Sequence, residues 1–267
     1  LNILCQEGGA FLKLSRTSML YGTLLLTATG LFSQLLGFIY RILLSRLIGA
    51  EVMGLYQLVM PVYSVLLSVT AVGLTAAVSS LTSEYQALGN LRAAGQVLRR
   101  CLAALFLLLV LPCLAVVLFS DAISVYLLGD ARTRLGLVLL LPCLLLTGVE
   151  NLHKHAFYGS GLIRPPACTE MLEQLVRTVA VLGLLVLFLP QSPERTVGLI
   201  VAGMVICEVF SSCTLTLLHR RYTRRLPPDR GRGESGRVLD RRILHIAVPI
   251  GLTALLGNLM GSVCAIL

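Results

Sequence analysis

The chain has 267 residues, of which 56% are hydrophobic and only 13% are charged, and its mean hydropathy is +0.86. This composition is too apolar for an ordinary water-soluble domain, so it indicates a membrane protein and excludes a soluble enzyme. The net charge is +9, but nine arginines are confined to residues 220–242. That distribution excludes a nucleic-acid-binding protein, whose cations would cover a folded polar face.

Seven stretches of the sequence predict membrane-crossing helices. A span needs about 20 mostly apolar residues, and these stretches lack the alternation that barrel strands would show. They lie at 16–41, 51–84, 100–121, about 135–151, about 166–189, about 196–218 and from 243 onward. The predicted fold is therefore all-α and polytopic, with a six-helix bundle followed by the start of a seventh helix.

The predicted organisation has four parts. Residues 1–15 form an N-terminal tail without the features of a signal peptide, and residues 16–219 form the bundle. Residues 220–242, rich in Arg, Gly and Pro, form a basic cytoplasmic linker that contacts anionic lipid or, alternatively, a partner protein. Residues 243–267 begin a second lobe, and the apolar end at Leu267 predicts that the chain is truncated within a helix.

The loop charges predict the orientation in the cell membrane. Lys and Arg are retained on the cytoplasmic side. With the N-terminus inside, 16 of the 22 cations fall in cytoplasmic segments and 5 fall outside, which leaves Arg177 within a span. A cytoplasmic N-terminus is therefore predicted.

Motifs for catalysis and cofactor binding are missing from the sequence. It contains no HExxH, GxSxG, Walker A or dinucleotide-binding pattern, and its eight cysteines include no CxxC pair. These patterns carry the common zinc, nucleophilic and phosphate chemistries. The sequence therefore predicts no enzymatic activity, no cofactor and no metal site.

Five ionisable residues lie within the predicted spans, where charge is costly and usually lines a cavity or pairs with another charge. Glu173 and Arg177 are four residues apart in the order that favours an ion pair, and Glu170 lies one turn earlier on the same face. The pair is either structural or faces a substrate. Glu208 either makes a hydrogen-bonded helix contact or relays protons, and Glu150 is the remaining member.

Cations near the helix ends permit two interpretations. Arg41 and Arg46 follow the first span and either extend toward the interface or, if the helix lines a cavity, bind phosphate in a bidentate manner. We expect His153, Lys154 and His155 to form an ordinary cytoplasmic interface.

Three segments resemble a known family. The stretch LGFIYRILLSRLIGAEVMGLYQLVMPVYSVLLSVTAVGLTAAVSSLTSEY (36–85) is similar to the opening helices of the polysaccharide-exporter and lipid-flippase branch of the MOP superfamily, nearest to its stage V sporulation protein B group. The block AFYGSGLIRPPACTEMLEQLVR (156–177) resembles the fourth and fifth helices of that group, and GMVICEVFSS resembles the sixth.

The resemblance implies a fold and a function. Members have twelve to fourteen helices in two lobes around a central cavity, and they move lipid-linked oligosaccharides or peptidoglycan precursors between leaflets. This chain would then be the first lobe with part of one more helix, and its partners would be a polyprenyl-diphosphate-linked saccharide, membrane lipids and the missing C-terminal lobe. The implied role is synthesis of spore cortex or cell-wall polysaccharide.

The resemblance also selects candidate residues. In the SxxLGF segment, the related lipid II flippases place an arginine after the serine, where this chain has Gln34. They place another arginine near Tyr40, where this chain has Arg41 one residue later. Arg46 matches the arginine pattern of these flippases better. The substrate-binding candidates are Gln34, Arg41, Arg46, Glu173 and Arg177. The candidates for an ion, proton or structural role are Glu150, Glu170 and Glu208.

Two alternatives remain open at the level of the sequence. A cation-coupled multidrug exporter of the same fold would use acidic cavity residues rather than arginines. A truncated remnant would have no transport activity.

Overall fold

The computed structural model describes residues 16–188, 192–225 and 233–266, with side chains at 22–188, 192–224 and 233–261. These ranges contain α-helices and short π and 3₁₀ turns and no strand, so the predicted all-α fold is confirmed. The predicted tail at 1–15 lies outside the described residues. The helices are α1 Arg16–Leu67, α2 Gly73–Ala87, α3 Leu91–Ala122, α4 Arg134–Gly159, α5 Arg164–Phe188, α6 Pro193–Arg225 and α7 Gly236–Ile266.

Six helical segments of the described chain are long and apolar enough to cross a membrane, and the first covers the 66 residues Gly22–Ala87. At 1.5 Å per residue that segment would measure about 99 Å, three times the thickness of the hydrocarbon core. Gly49 divides it, with φ 75° and ψ 176° inside α1. This segment therefore contains both the first and the second predicted spans. That is why the described chain has six long apolar segments although seven spans were predicted.

Contacts along this first segment show that it crosses the bundle and returns. A Cβ on Gly22 would lie 2.8 Å from Ile163 Cδ1, in the turn between α4 and α5. Glu51, just after the break, pairs at 2.6 Å with Arg132, in the short turn that precedes α4 at the opposite end of the bundle. Glu84, near the end of α2, lies 2.6 Å from Arg242 at the start of α7.

The helices enclose two apolar cores that share α4. One core joins α2, α3 and α7 with Leu144, Leu152 and Ala156 of α4. The other joins α1, α5 and α6 with Leu137 and Leu140 of α4. Because α4 has neighbours on both sides, polar residues in its second half are held at the centre of the bundle.

Small residues allow the helices to approach closely, as is common in membrane bundles. A Cβ on Gly73 of α2 would clash with the Ala247 carbonyl oxygen of α7. One on Gly203 of α6 would lie 2.7 Å from Val181 of α5. The outer surface is strongly apolar instead: Leu107 and Leu187 are more than two-thirds exposed, as expected for side chains that face lipid.

Most of the basic segments meet at one end of the bundle. Arg100 pairs with Asp240 at 2.7 Å, and the Gln86 amide donates to the Tyr222 hydroxyl. Helices α6 and α7 both extend into the predicted linker 220–242, of which residues 226–232 lie outside the described ranges. At the opposite end, the Arg132 guanidinium holds the pKa of Asp130 below its usual range.

Candidate functional site: a cavity with a buried charge cluster

A cavity of about 920 Å³ lies between α1, α4, α5, α6 and α7. Its wall contains three cations, three carboxylates and several hydroxyl and amide groups, which is unusual in so apolar a bundle. The charged residues of the wall are Arg41, Glu150, Lys154, Glu173, Arg177 and Glu208.

Lys154 joins two of the cavity helices. Its Nζ lies 2.5 Å from Glu150 Oε1, one turn earlier on α4, and donates to Glu173 Oε2 of α5 at 3.1 Å. The Lys154 side chain is only 14% exposed. The expectation that Lys154 lies at an ordinary cytoplasmic interface was therefore wrong, because the α4 register turns this side chain into the bundle.

Arg177 makes the equivalent connection between α5 and α6. Its Nη2 donates to Glu173 Oε1 at 2.5 Å and to Glu208 Oε1 at 3.3 Å. The Cys207 thiol, next to Glu208, donates to the Glu173 backbone carbonyl at 3.2 Å. The predicted Glu173–Arg177 pair is thus present, and it is part of a network of five residues that we call the charge cluster: Glu150, Lys154, Glu173, Arg177 and Glu208.

The three carboxylates of the charge cluster are close together. Oxygen atoms of Glu150, Glu173 and Glu208 all lie within 4.8 Å of one another, and all three residues are buried. A cation could bridge oxygens at this spacing, but the Lys154 ammonium and the Arg177 guanidinium already lie between the carboxylates. The arrangement therefore favours internal ion pairing over a multivalent metal ion, which would bring further positive charge beside these two groups.

The α1 wall adds an accessible cation and aromatic hydroxyl groups. Arg41 is exposed and lines the cavity. The neighbouring Tyr40 hydroxyl is buried and has no hydrogen-bond partner among the described residues. Tyr63 donates to the Thr147 hydroxyl at 2.8 Å. A buried hydroxyl without a partner costs free energy, so Tyr40 has an unused hydrogen-bonding capacity at the wall of the cavity.

The structure separates the residues predicted from the sequence into two groups. Arg41, Glu150, Glu173, Arg177 and Glu208 all line the cavity. Gln34 and Arg46 are exposed on α1, and Glu170 is half-buried on α5; these three are not among the cavity-lining residues.

Several cavity residues escaped the sequence analysis. Lys154 could have been found from its spacing of four residues after Glu150, which is the same signal that identified Glu173 and Arg177. Tyr40, Tyr56, Gln57 and Asn151 carry no comparable signal, since isolated polar residues occur on many membrane helices.

The comparisons with known proteins agree with the resemblance. Over 181 residues, 68% of this chain and 35% of the relative, the chain is 29% identical to stage V sporulation protein B of Bacillus subtilis. Over 176 residues, 62% of this chain and 32% of the relative, it is 25% identical to the lipid II flippase MurJ of the same organism. The matches thus span about a third of each relative's length.

No solved structure matches the chain significantly. The profile of a family described as polysaccharide biosynthesis protein matches residues 19–267, which is nearly the whole chain. The match includes every helix that lines the cavity. This multi-pass membrane protein therefore belongs to the polysaccharide biosynthesis protein family, within the MOP superfamily predicted from the sequence.

Proposed function

We propose that the protein containing this chain is a flippase that moves a polyprenyl-diphosphate-linked oligosaccharide or peptidoglycan precursor across the cytoplasmic membrane. One of the relatives is named as a lipid II flippase and another as a sporulation protein. By that analogy the transported precursor would serve cell-wall or spore-cortex synthesis. The role is transport, so we assign no catalytic residue.

The observation that carries this proposal is the polar cavity inside an apolar bundle. A lipid-linked sugar has a polar head that cannot cross about 30 Å of hydrocarbon without hydrogen-bonding partners. The cavity supplies hydroxyl and amide groups for a sugar and the Arg41 guanidinium for a phosphate. Arginine suits this task because its planar fork donates two parallel hydrogen bonds to phosphate oxygens.

We propose that Arg41, rather than Arg46, contacts the diphosphate. Both lie on α1, but five residues rotate a helix by about 500°, so the two side chains point about 140° apart. Arg41 faces the cavity, whereas Arg46 is exposed elsewhere.

The charge cluster supports a second candidate, a cation-coupled multidrug exporter of the same fold. Three buried carboxylates in one cavity could couple the uptake of a cation to the release of a drug. Deletion of such an exporter would lower drug resistance and leave lipid-linked precursors unchanged.

We further propose that residues 16–219 form one lobe, that 220–242 link it on the cytoplasmic side, and that 243–267 begin the second lobe. The gathering of basic segments at one end of the bundle supports a cytoplasmic N-terminus. The second lobe, supplied by the rest of the protein, would close the other side of the cavity.

The test is export of the lipid-linked precursor by the full-length protein. Arg41→Ala should lower export about tenfold, as expected for loss of a charge-assisted hydrogen bond worth about 1.5 kcal/mol. Arg41→Lys should restore it in part, because lysine keeps the charge but loses the fork. The measurement is accumulation of the precursor in the inner leaflet of cells that depend on each variant.

Arg46→Ala is the matched control on the same helix, compared at equal membrane abundance. It should export as the wild type does. If Arg46→Ala lost export and Arg41→Ala exported normally, Arg46, which matches the family pattern better, would be the diphosphate-binding residue. That result would contradict the assignment of this role to Arg41. Normal export by both variants would exclude recognition of the diphosphate by these arginines.

A further inference from the structure

The charge cluster carries an unbalanced charge. Its three carboxylates face two cations, which leaves a formal charge of −1 when every group is ionised. Glu150, Glu173 and Glu208 are 2%, 6% and 3% exposed, so water compensates little of this charge. A buried, uncompensated carboxylate costs several kcal/mol, and such groups commonly take up a proton instead.

The hydrogen bonds show which carboxylates lack compensation. Both Glu173 oxygens accept from cations, one from Arg177 and the other from Lys154. Glu208 Oε2 is buried with no hydrogen-bond partner among the described residues. Glu150 Oε1 contacts a single cation, the Lys154 ammonium, which Glu173 shares. The deficit therefore lies at Glu150 and Glu208.

Oxygen atoms of these two carboxyl groups, on α4 and α6, lie within 4.8 Å of each other. Two carboxylates so close together cannot both remain ionised easily, whereas one proton between them satisfies an oxygen of each. A sodium ion would sit beside the Lys154 ammonium and the Arg177 guanidinium, which repel it. The geometry thus favours a proton over a metal cation.

We propose that Glu150 and Glu208 share one exchangeable proton, and that an anion bound in the cavity strengthens its retention. The second part rests on the proposed function. With the proton in place the charge cluster is neutral, and the Arg41 guanidinium is left to attract the anion. Since linkage is reciprocal, a diphosphate group near Arg41 raises the proton affinity of the pair by the same factor by which the proton raises the affinity for the diphosphate.

Each element around the pair contributes groups that influence this proton. Lys154 and Arg177 oppose its uptake, and Glu173 favours it. Among the described residues, further titratable groups that interact with Glu208 are Tyr63 of α1, Cys143 of α4 and Cys207 of α6. These groups are neutral at physiological pH and leave the charge balance unchanged.

A carbodiimide soluble in lipid, dicyclohexylcarbodiimide, provides the test, because it reacts with protonated carboxyl groups in apolar surroundings. In the full-length protein it should label Glu150 or Glu208 near neutral pH, as mapped by peptide mass spectrometry. Labelling should decline as the pH rises, since the reactive species is the protonated one. Absence of labelling at both residues throughout the stable pH range would overturn the proposal.

Two variants each remove one carboxylate of the proposed pair and with it the unbalanced charge. Glu208→Gln should leave Glu150 ionised and lower its labelling more than about tenfold, and Glu150→Gln should do the same for Glu208. If one variant fails to fold, the other still tests the shared proton. Glu194→Gln is the matched control, because Glu194 is exposed in the first turn of the same helix as Glu208. Undiminished labelling of the remaining carboxyl in a folded variant would exclude a shared proton.

Two further labelling experiments, one with sodium and one with farnesyl diphosphate, distinguish a proton from a metal cation and test the linkage to a diphosphate. Replacing choline with sodium at constant pH and ionic strength should leave the labelling unchanged, and protection by sodium would show a metal-cation site instead. Farnesyl diphosphate should move the decline of labelling to higher pH, whereas uncharged farnesol should not. If the protein is labelled but farnesyl diphosphate does not shift the pH at which labelling declines, the linkage is overturned. If that protein still exports the precursor, the proposed function stands. If it does not export the precursor, the proposed function is overturned too.

Discussion

At the scale of single residues, the two half-buried cations of the charge cluster pair with different sets of carboxylates. Arg177 is the only described cation that contacts Glu208, whereas Glu173 shares both of its cations with other carboxylates. An isolated pair would make Glu173 and Arg177 equally sensitive to substitution. The network instead makes the consequence depend on which charge is removed.

Arg177→Met should therefore destabilise the protein more than Glu173→Gln. The first change leaves Glu208 unpaired and the charge cluster at −2, at a cost of about 3–5 kcal/mol. The second leaves Lys154 with Glu150 and Arg177 with Glu208, at a cost of about 1–2 kcal/mol. Thermal unfolding in detergent measures both.

The double variant Arg177→Met with Glu208→Gln serves as the control, because it restores a charge of −1. It should regain part of the stability lost by Arg177→Met alone. Equal losses in all three variants would mean that packing, rather than charge, determines the stability at this point.

At the scale of secondary-structure elements, α1 is the element whose shape departs most from a single regular helix. The break at Gly49 combines φ 75° with ψ 176°, a region of backbone conformation that is essentially reserved for glycine. A Cβ at this position would meet no atom within 4 Å. Any penalty for a side chain there is therefore a backbone penalty and not a clash.

Gly49→Ala should lower the free energy of unfolding by about 1–3 kcal/mol, the usual cost of forcing a residue into such a conformation. Gly37→Ala is the matched control on α1, since it also has no atom within 4 Å of a Cβ but has helical backbone. It should be neutral or stabilising by up to about 1 kcal/mol. A stable Gly49→Ala protein would show that the break tolerates an ordinary residue.

At the scale of the whole molecule, the two ends of the bundle differ in charge. Arg132 and Arg134 at one end pair with Asp130, Glu51 and Asp121. The other end collects the termini of α2, α6 and α7, where exposed arginines exceed the acidic residues. Such an imbalance favours the second end for the cytoplasmic side.

Single cysteines at Ser235 and Ala131 test this orientation, in a background without native cysteines. Both positions are exposed and lie at opposite ends of the bundle. An impermeant thiol reagent should react in intact cells at position 131 only, and at position 235 after permeabilisation. Reaction at 235 in intact cells would reverse the proposed topology.

The sequence alone was sufficient for the class of protein, the approximate position of the long apolar helices and the family. These depend on composition, on the length of apolar runs and on the order of short motifs, all of which are local properties of the chain. The location of the break in α1 was not predicted, because a glycine in an apolar helix carries no sign of the φ it adopts.

Only the tertiary structure decided which charged groups meet. Helices that are apolar on nearly every side have no distinct polar face, so their rotation about their own axes is set by packing against neighbours. That rotation places Arg41 in the cavity and Arg46 outside it. It also brings Glu150 and Lys154 to Glu173, Arg177 and Glu208, since contacts between separate helices depend on their packing and not on spacing along the chain.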